Sequence, residues 1–576
     1  MRPLPKPPFR FLPHAKSPAL AGGLPAWRSA LILAVITAAF CALAGRAWWI
    51  QIVEHDFHLA QGQKRYRQTF QLDAPRGPIV DRHGSLLAIS LTTYEIWGEP
   101  QRIEPAAQIP LARALGMAPE ALQARLGRTR SFVLLKREVD AETAKQIAAM
   151  NLAGVSQMPS SKRFYPEGEA AAHVVGFTGI DDTGQEGIEL AANARLAGQP
   201  GAREVIRDRL GRVVSDLRPL VAARNGATVR LTIDRRIQQL AYAELKASLE
   251  RHKAQAGSVV VLDARSGEVL ALVNAPSFDP NARDERRGLA LRNRALTDTF
   301  EPGSTIKPLL IATALDAGIA RPTTLIQTAP GTYSIGPNTI HDTSNHGTIT
   351  VTQALTKSSN VALAKLALSL PAETIWTTYQ QYGIGQAPAL PFPGVAAGKL
   401  RPWQRWRPIE QATIGYGYGF SASLMQVAQA YTVLAGDGTL RTASLLLEDG
   451  KDTLPGIDAG LSPMRVTTPE TAAALRTMLE ATTGDDATGR SAKVEGYRVG
   501  GKTGTAWKHA GGSYAKGKYR ALFAGMAPMS DPRIIVAVML DEPTGRSYYG
   551  GAVAAPLFAS VAGGALQLLG VPPDDA

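Results

Sequence analysis

From Ser29 to Gly45 the chain is uncharged and mostly apolar, and Ala47 to Ile50 continue the run past Arg46. A bilayer core takes about 20 such residues as a helix, so the pattern predicts a membrane span over residues 29–50. Trp27 stands at one end and Trp48-Trp49 at the other, where amphipathic rings favour the membrane–water boundary. Arg46 is near enough to that boundary for its charge to snorkel out. After the span, residues 51–70 read as a helix leading away from the membrane. Residues 71–225 alternate short strand-like and helical pieces between Gly/Pro turns, with no catalytic constellation among them.

Beyond residue 225 the periodicity sharpens. Thr228 to Asp234 opens a second domain and is followed by an amphipathic helix to about Lys253. Gly257–Ala264 and Gly267–Val273 read as a strand hairpin that turns at Arg265-Ser266-Gly267. From Ser304 the run STIKPLLIATALDA reads as a helix, stopped by Gly318. Strands return at Tyr497–Ala506, Arg520–Ala527 and Arg533–Asp541, and a last helix runs from about Val553 to Leu569. Strands at both ends of a domain, with helices between, must meet in one sheet. The expected fold is α/β: an antiparallel sheet with helices on both faces, preceded by a mixed α+β module and a transmembrane helix.

Composition narrows the function. A hydrophobic content of 45% with 19% charged residues suits a folded protein of 576 residues, long enough for at least two domains. The net charge is +13, and it is uneven. Arg2, Lys6, Arg10, Lys16, Arg28 and Arg46 all precede the first acidic residue, Glu54. Basic residues before a span place the N-terminus in the cytoplasm and the remainder outside. Ala42-Leu43-Ala44 mimics a signal-peptide cleavage site, but the long n-region and the continuing apolar run favour a retained anchor. No basic stripe is interleaved with aromatics, so nucleic acid is not an expected partner. Cys41 is the only cysteine, which excludes disulfides, and no His or carboxylate spacing suggests a metal. No cofactor is expected.

Three motifs carry the chemistry: Ser304-Thr305-Ile306-Lys307, Ser358-Ser359-Asn360 and Lys502-Thr503-Gly504, the last extended by Thr505. Residues i and i+3 of a helix share a face, so Lys307 should lie over the Ser304 hydroxyl. A serine is inert at neutral pH without an adjacent base. Lys307 can serve as that base only if burial or a nearby cation lowers its pKa, and Lys502 is the candidate cation. Pro308 is expected to stiffen this turn without costing a hydrogen bond. Ser358 and Asn360 precede VALAKLAL and read either as helix caps or as a proton relay and a hold on Lys307. Ser359 carries no assigned role.

Asn293 to Phe300 leading into EPGSTIKP resembles the class B penicillin-binding proteins, the monofunctional peptidoglycan D,D-transpeptidases, and most closely their division-specific branch. RGPIVDRHGSLLA (Arg76–Ala88), RFYPEG (Arg163–Gly168) and GQEGIE (Gly184–Glu189) resemble the family's non-catalytic module. GYGYG (Gly415–Gly419), GGKTGTA (Gly500–Ala506), Asp541-Glu542-Pro543 and Tyr548-Tyr549-Gly550-Gly551 resemble its catalytic domain. The resemblance implies a cytoplasmic tail (1–28), an anchor (29–50), a non-catalytic pedestal (51–225), a transpeptidase domain (226–570) and a short tail (571–576). The charged pedestal residues Arg76, Asp81, Arg82, Arg163 and Glu186 are expected in salt bridges.

The resemblance also implies roles. Ser304 would attack the D-Ala-D-Ala carbonyl of a stem peptide, with Lys307 and Ser358 moving protons and Asn360 holding Lys307 or the substrate. Lys502 and the Thr503 and Thr505 hydroxyls would bind the terminal carboxylate, and Gly504 would let the substrate backbone approach. The backbone N–H groups of Ser304 and Thr505 would stabilise the oxyanion. Penicillins would acylate Ser304. An amine from a second stem peptide would resolve the acyl-enzyme, making septal cross-links in the periplasm at the inner membrane. Other possibilities are an elongation- or sporulation-type relative and a hydrolytic carboxypeptidase or β-lactamase. Because a class B member makes no glycan, a SEDS-family polymerase is the implied partner, together with other division-complex membrane proteins. Ala30, Ala34, Ala38, Ala42 and Gly45 would offer that polymerase a small-residue helix face.

Overall fold

Asp263 starts the hairpin of the main sheet by accepting the backbone N–H groups of Arg265 and Ser266 on Oδ1, at 2.9 and 3.0 Å. Gly267 then turns the chain at φ +82°, a conformation that glycine enters without steric cost. The structure, a computed structural model, describes residues 26–58, 67–72, 74–127, 132–207, 213–447, 463–510 and 513–575. Two compact units emerge, one of residues 1–72 and 200–223, the other of 73–199 and 224–576.

In the first unit an α-helix covers Ala26–Trp48 and a wider turn continues it over Trp49–Val53. Together they are long and apolar enough to cross a membrane, and none of their apolar side chains is buried. Of the helix expected over residues 51–70, residues 51–53 belong to that wider helical turn, 55–58 are helical and 59–66 lie outside the described residues. Arg67–Leu72 is instead a strand, paired antiparallel with Gly201–Arg207, which pairs in turn with Val213–Val221. Pairing with residues more than a hundred positions later is a tertiary effect that local pattern does not carry. Of the expected 1–28 tail, residues 1–25 lie outside the described residues.

The second unit is built on a five-stranded sheet. Its strands are β1 (Ala256–Asp263), β2 (Val269–Ala275), β3 (Gly500–Ala510), β4 (Ser513–Ala527) and β5 (Ile534–Asp541). The order is β2-β1-β5-β4-β3, antiparallel throughout. Alternate residues enter opposite layers, as the pleat requires. Val259 and Val261 pack with helices α1 (Arg235–His252) and, at the C-terminus, α5 (Gly550–Leu568). Val260 and Leu262 enter a larger core that includes α2 (Lys307–Asp316), α3 (Asn360–Leu368) and α4 (Leu424–Ala435). Every residue of α4 is buried, and its start is closed by a capping box between Ser423 and Gln426. Helix α5 is also apolar enough to span a membrane, but over half of it is buried against the sheet. It is a core helix.

Residues 74–199 belong to the same compact unit. Their long strand Leu86–Gly98 pairs with Val133–Val139 and with Val155–Phe164. Glu189 is fully buried and takes the Nε groups of both Arg76 and Arg163 at 2.6 Å, whereas Glu186, also expected in a salt bridge, does not supply that carboxylate. Asp81 is likewise a backbone acceptor rather than an ion-pair member, bonding the N–H groups of His83, Ser85 and Arg235. Arg82 does pair, with Glu268 at 3.0 Å. Deleting one member of such a buried charge set leaves the others uncompensated, at a cost of about 3–5 kcal/mol.

Candidate active site

Ser304 sits in a tight turn, Gly303–Ile306, immediately before α2. The turn is not the α-helical first turn that the sequence suggests. An α-helix reaching back over Ser304 would need the N–H of residue 308 to bond the Ser304 carbonyl, and Pro308 has none. Lys307 N–H takes that carbonyl instead, closing the tighter i to i+3 ring. Thr305 Oγ1 donates to Pro302 O at 2.7 Å, and Tyr431 on α4 donates to Thr305 O at 2.7 Å. Gly417 covers the turn. Its carbonyl accepts the Gly303 N–H at 3.0 Å, and a Cβ on Gly417 would lie 1.9 Å from Gly303 O. The Gly415–Gly419 run therefore has a packing reason that sequence reading reduced to a turn.

Lys307 opens α2 and is completely buried. Its Nζ donates to Ser358 O at 2.5 Å, Asn360 Oδ1 at 2.9 Å and Ser358 Oγ at 3.2 Å. Ser358 Oγ in turn donates to Ser304 Oγ at 3.0 Å. The lysine thus reaches the Ser304 hydroxyl through Ser358, where the shared helical face predicts direct apposition. Burial pushes the Lys307 amine well below its ordinary pKa, the Lys502 charge adds to the effect, and Asp342 partly opposes it. Burial leads and the neighbouring cation follows.

Ser358 can present both oxygens because its backbone is left-handed, at φ +58°, which costs a non-glycine residue about 1 kcal/mol or more. The following turn holds it there. Ser359 caps α3, accepting the Ala362 N–H at 3.0 Å and donating to Asp342 Oδ2 at 2.6 Å. Asp342 Oδ1 accepts the N–H groups of Asn360 at 2.5 Å and Val361 at 3.0 Å. A carboxylate at a helix N-terminus is favoured electrostatically. Sequence reading missed Asp342, which follows the short hairpin strand Asn338–His341 and lies 17 positions before Ser359. It also left Ser359, the actual cap, without a role.

The third motif lies on edge strand β3, with Lys502 opposite Ala524 of β4. Lys502 is fully buried and its Nζ donates to Thr503 O and Oγ1, both at 3.2 Å. Burial pushes its pKa down to about 7. Thr503 and Thr505 line the open cleft, whereas Lys502 lies behind them. Thr505 Oγ1 accepts the Gly550 N–H at 3.0 Å, leaving its own proton to donate. A Cβ on Gly504 would meet Thr305 Cγ2 at 2.9 Å and Pro302 O at 3.2 Å, so the glycine admits the Ser304 turn against the strand.

The cleft has a volume of about 650 Å³ and holds Ser304, Ser358, Asn360, Thr503 and Thr505 together. Aromatic rings wall one part of it: Trp507 on Tyr519 at 4.5 Å, Tyr519 on Tyr548 at 4.0 Å, and Tyr548 on Tyr549 at 4.5 Å. Tyr418, from the glycine run, also lines it and donates to Thr505 O at 3.3 Å. Asp541 and Glu542 stand apart in ion pairs with Lys508, Lys518 and Arg520. Among the described residues no group of His, Cys, Asp and Glu could hold a metal.

Residues 257–563 match the penicillin-binding protein transpeptidase domain, and residues 71–231 match the penicillin-binding protein dimerisation domain. The chain is a class B penicillin-binding protein. It is 41% identical to the probable peptidoglycan D,D-transpeptidase PenA of Neisseria meningitidis, over 98% of this chain and 96% of that one. Against the peptidoglycan D,D-transpeptidase FtsI of Escherichia coli the identity is 37%, over 95% and 93%. The apo structure of penicillin binding protein 3 from Mycobacterium tuberculosis superposes with a TM-score of 0.68 at 30% identity, covering 88% of this chain and 98% of that one. The penicillin-binding protein fold thus extends over both the catalytic sheet and most of what precedes it.

Proposed function

We propose that this class B penicillin-binding protein is a septal peptidoglycan D,D-transpeptidase with Ser304 as its nucleophile. The observation that carries the reading is the unbroken path Lys307 Nζ–Ser358 Oγ–Ser304 Oγ, with steps of 3.2 and 3.0 Å. With the Lys307 amine neutral, the same path runs in the opposite sense: Ser304 passes its proton to Ser358, and Ser358 passes its own to Lys307. Ser304 Oγ bonds the carbonyl carbon of the penultimate D-alanine. The C–N bond to the terminal D-alanine then breaks, and the leaving nitrogen receives the proton back through Ser358. An amine from a second stem peptide next displaces Ser304, forming the cross-link. Asn360 holds Lys307. Thr503 and Thr505 receive the terminal carboxylate, with the Lys502 charge behind them. The N–H groups of Ser304 and Thr505 face the developing oxyanion. A β-lactam acylates the same oxygen and stays.

Incubation with a pentapeptide donor and an amine acceptor tests this reading. A cross-linked product that disappears in Ser304→Ala supports it, and hydrolysed tetrapeptide alone makes the protein a carboxypeptidase.

The basic residues before the apolar helix favour a cytoplasmic N-terminus and a periplasmic bulk. The assigned domains provide cross-linking and no glycan polymerisation, so the polymer must come from another protein. A SEDS-family polymerase packing on Ala34, Ala38 and Ala42 fits that need. Leucine at those three positions should weaken its co-purification while penicillin labelling stays normal. Unchanged co-purification would remove this face as the contact.

A further inference from the structure

Two cations in the cleft play no part in the acyl-transfer chemistry. Lys357 closes the helix Val351–Thr356 just before Ser358, and Arg490 opens the short turn Arg490–Ala492. Both side chains are solvent-exposed and both line the cleft that contains Ser304. Their two segments are tied to each other and to β3. Thr488 Oγ1 donates to Thr356 O at 3.4 Å and accepts from Thr503 Oγ1 at 3.2 Å. Lys357, Arg490 and the Thr503–Thr505 edge therefore border one space.

Among the described residues lining that space there is no Asp or Glu. Asp485, whose carboxylate senses Arg490, is bonded to Lys493 at 2.6 Å. The buried Lys502 lies behind the same wall. An acceptor reaches the acyl-enzyme as an amine, most of it protonated at neutral pH, and a simple alkylammonium would enter a field of its own sign. An amine that carries a carboxylate beside it has no net charge to repel, and that carboxylate suits two exposed cationic side chains.

We infer that Lys357 and Arg490 form a second carboxylate subsite, which seats a carboxylate borne next to the acceptor amine and so selects amino-acid-like acceptors over plain amines. The inference rests on the transpeptidase reading above and adds to it the residues that choose the acceptor. Arg490 offers a planar pair of donors and Lys357 a mobile point charge. The terminal carboxylate of the donor stays with Thr503, Thr505 and Lys502, so the two carboxylates do not compete.

The test uses the full chain in detergent, acylated from a thioester donor peptide, with glycine or glycinamide as the acceptor. The readout is the ratio of aminolysis between the two acceptors, wild type against variant, so that the differing basicity of the amines cancels. Wild type should favour glycine relative to the Lys357→Gln, Arg490→Gln double variant by about tenfold, the scale of a charge-assisted contact. Penicillin acylation of Ser304 should change less than threefold. Lys357→Arg and Arg490→Lys, which keep the charges, should retain most of the preference. An unchanged ratio in the glutamine double variant overturns the inference. So does loss of the preference in the charge-conserving variants, and so does an effect confined to the donor half-reaction. Failure of wild type to acylate at Ser304 would instead sink the transpeptidase reading itself.

Discussion

Lys307 and Lys502 are two completely buried lysines that meet the cost of burial differently. A buried ammonium without acceptors is expensive. Lys307 has three acceptors on the Ser358–Asn360 turn, and Lys502 has two oxygens of its own neighbour. Replacing Lys307 by Met should leave the fold intact and slow penicillin acylation by about 10² or more, the usual scale of lost general-base catalysis. A stopped-flow rate within a few-fold of wild type would assign the base elsewhere. Lys502→Met makes a stability prediction with a sign. The folded-state pKa lies at about 7, below the ordinary lysine value of 10.5. Between those values the unfolded chain binds a proton that the folded chain does not, so this group destabilises the fold progressively as pH falls from about 10.5 to 7. Methionine cannot do so. The variant should therefore be more stable than wild type by about 1–4 kcal/mol at pH 7, with the advantage shrinking by pH 9.5. Thermal melts at the two pH values decide it.

At the scale of elements, much was legible because the signals were local. The hairpin at Arg265-Ser266-Gly267 lies where alternation and turn residues put it, and α1 ends at the expected point, with Lys253 left-handed at φ +48°. The eight candidate site residues, Ser304, Lys307, Ser358, Asn360 and Lys502 to Thr505, fall in or directly behind one cleft. The parts that were not legible depend on contacts between distant segments. Asp342 caps a helix in another segment, and Arg67–Leu72 is a strand only because Gly201–Arg207 pairs with it. Pro308 tightens the Ser304 turn by withholding one N–H, a consequence available from sequence but weighed there only as stiffening. Gly417 and Gly504 belong to the same group, since each is explained by the Ser304 turn pressing on it. Gly417→Ala is the sharp case, because the position has φ +95° and its Cβ would meet the Gly303 carbonyl. It should cost about 1–3 kcal/mol and slow acylation as the turn shifts. A variant with normal melting and normal labelling would show that the loop yields freely.

Over the whole molecule, the exposed apolar helix Ala26–Trp48 and the buried apolar helix α5 pass the same length and composition test, and burial separates them. Among the described residues nothing of its own unit covers the first, so a bilayer is its natural solvent. The full-length chain should therefore remain in the membrane fraction after a high-salt wash and keep its N-terminal sequence. A mature protein starting near Gly45 would mean that the helix is a cleaved signal. The central claim is that one serine, reached by a buried lysine through a second serine, performs the acyl transfer. Intact-mass analysis of the full chain after penicillin treatment, followed by peptide mapping, tests it most directly. The account predicts a single adduct on Ser304 that is absent from Ser304→Ala. An adduct on any other residue, or undiminished labelling of that variant, would contradict it.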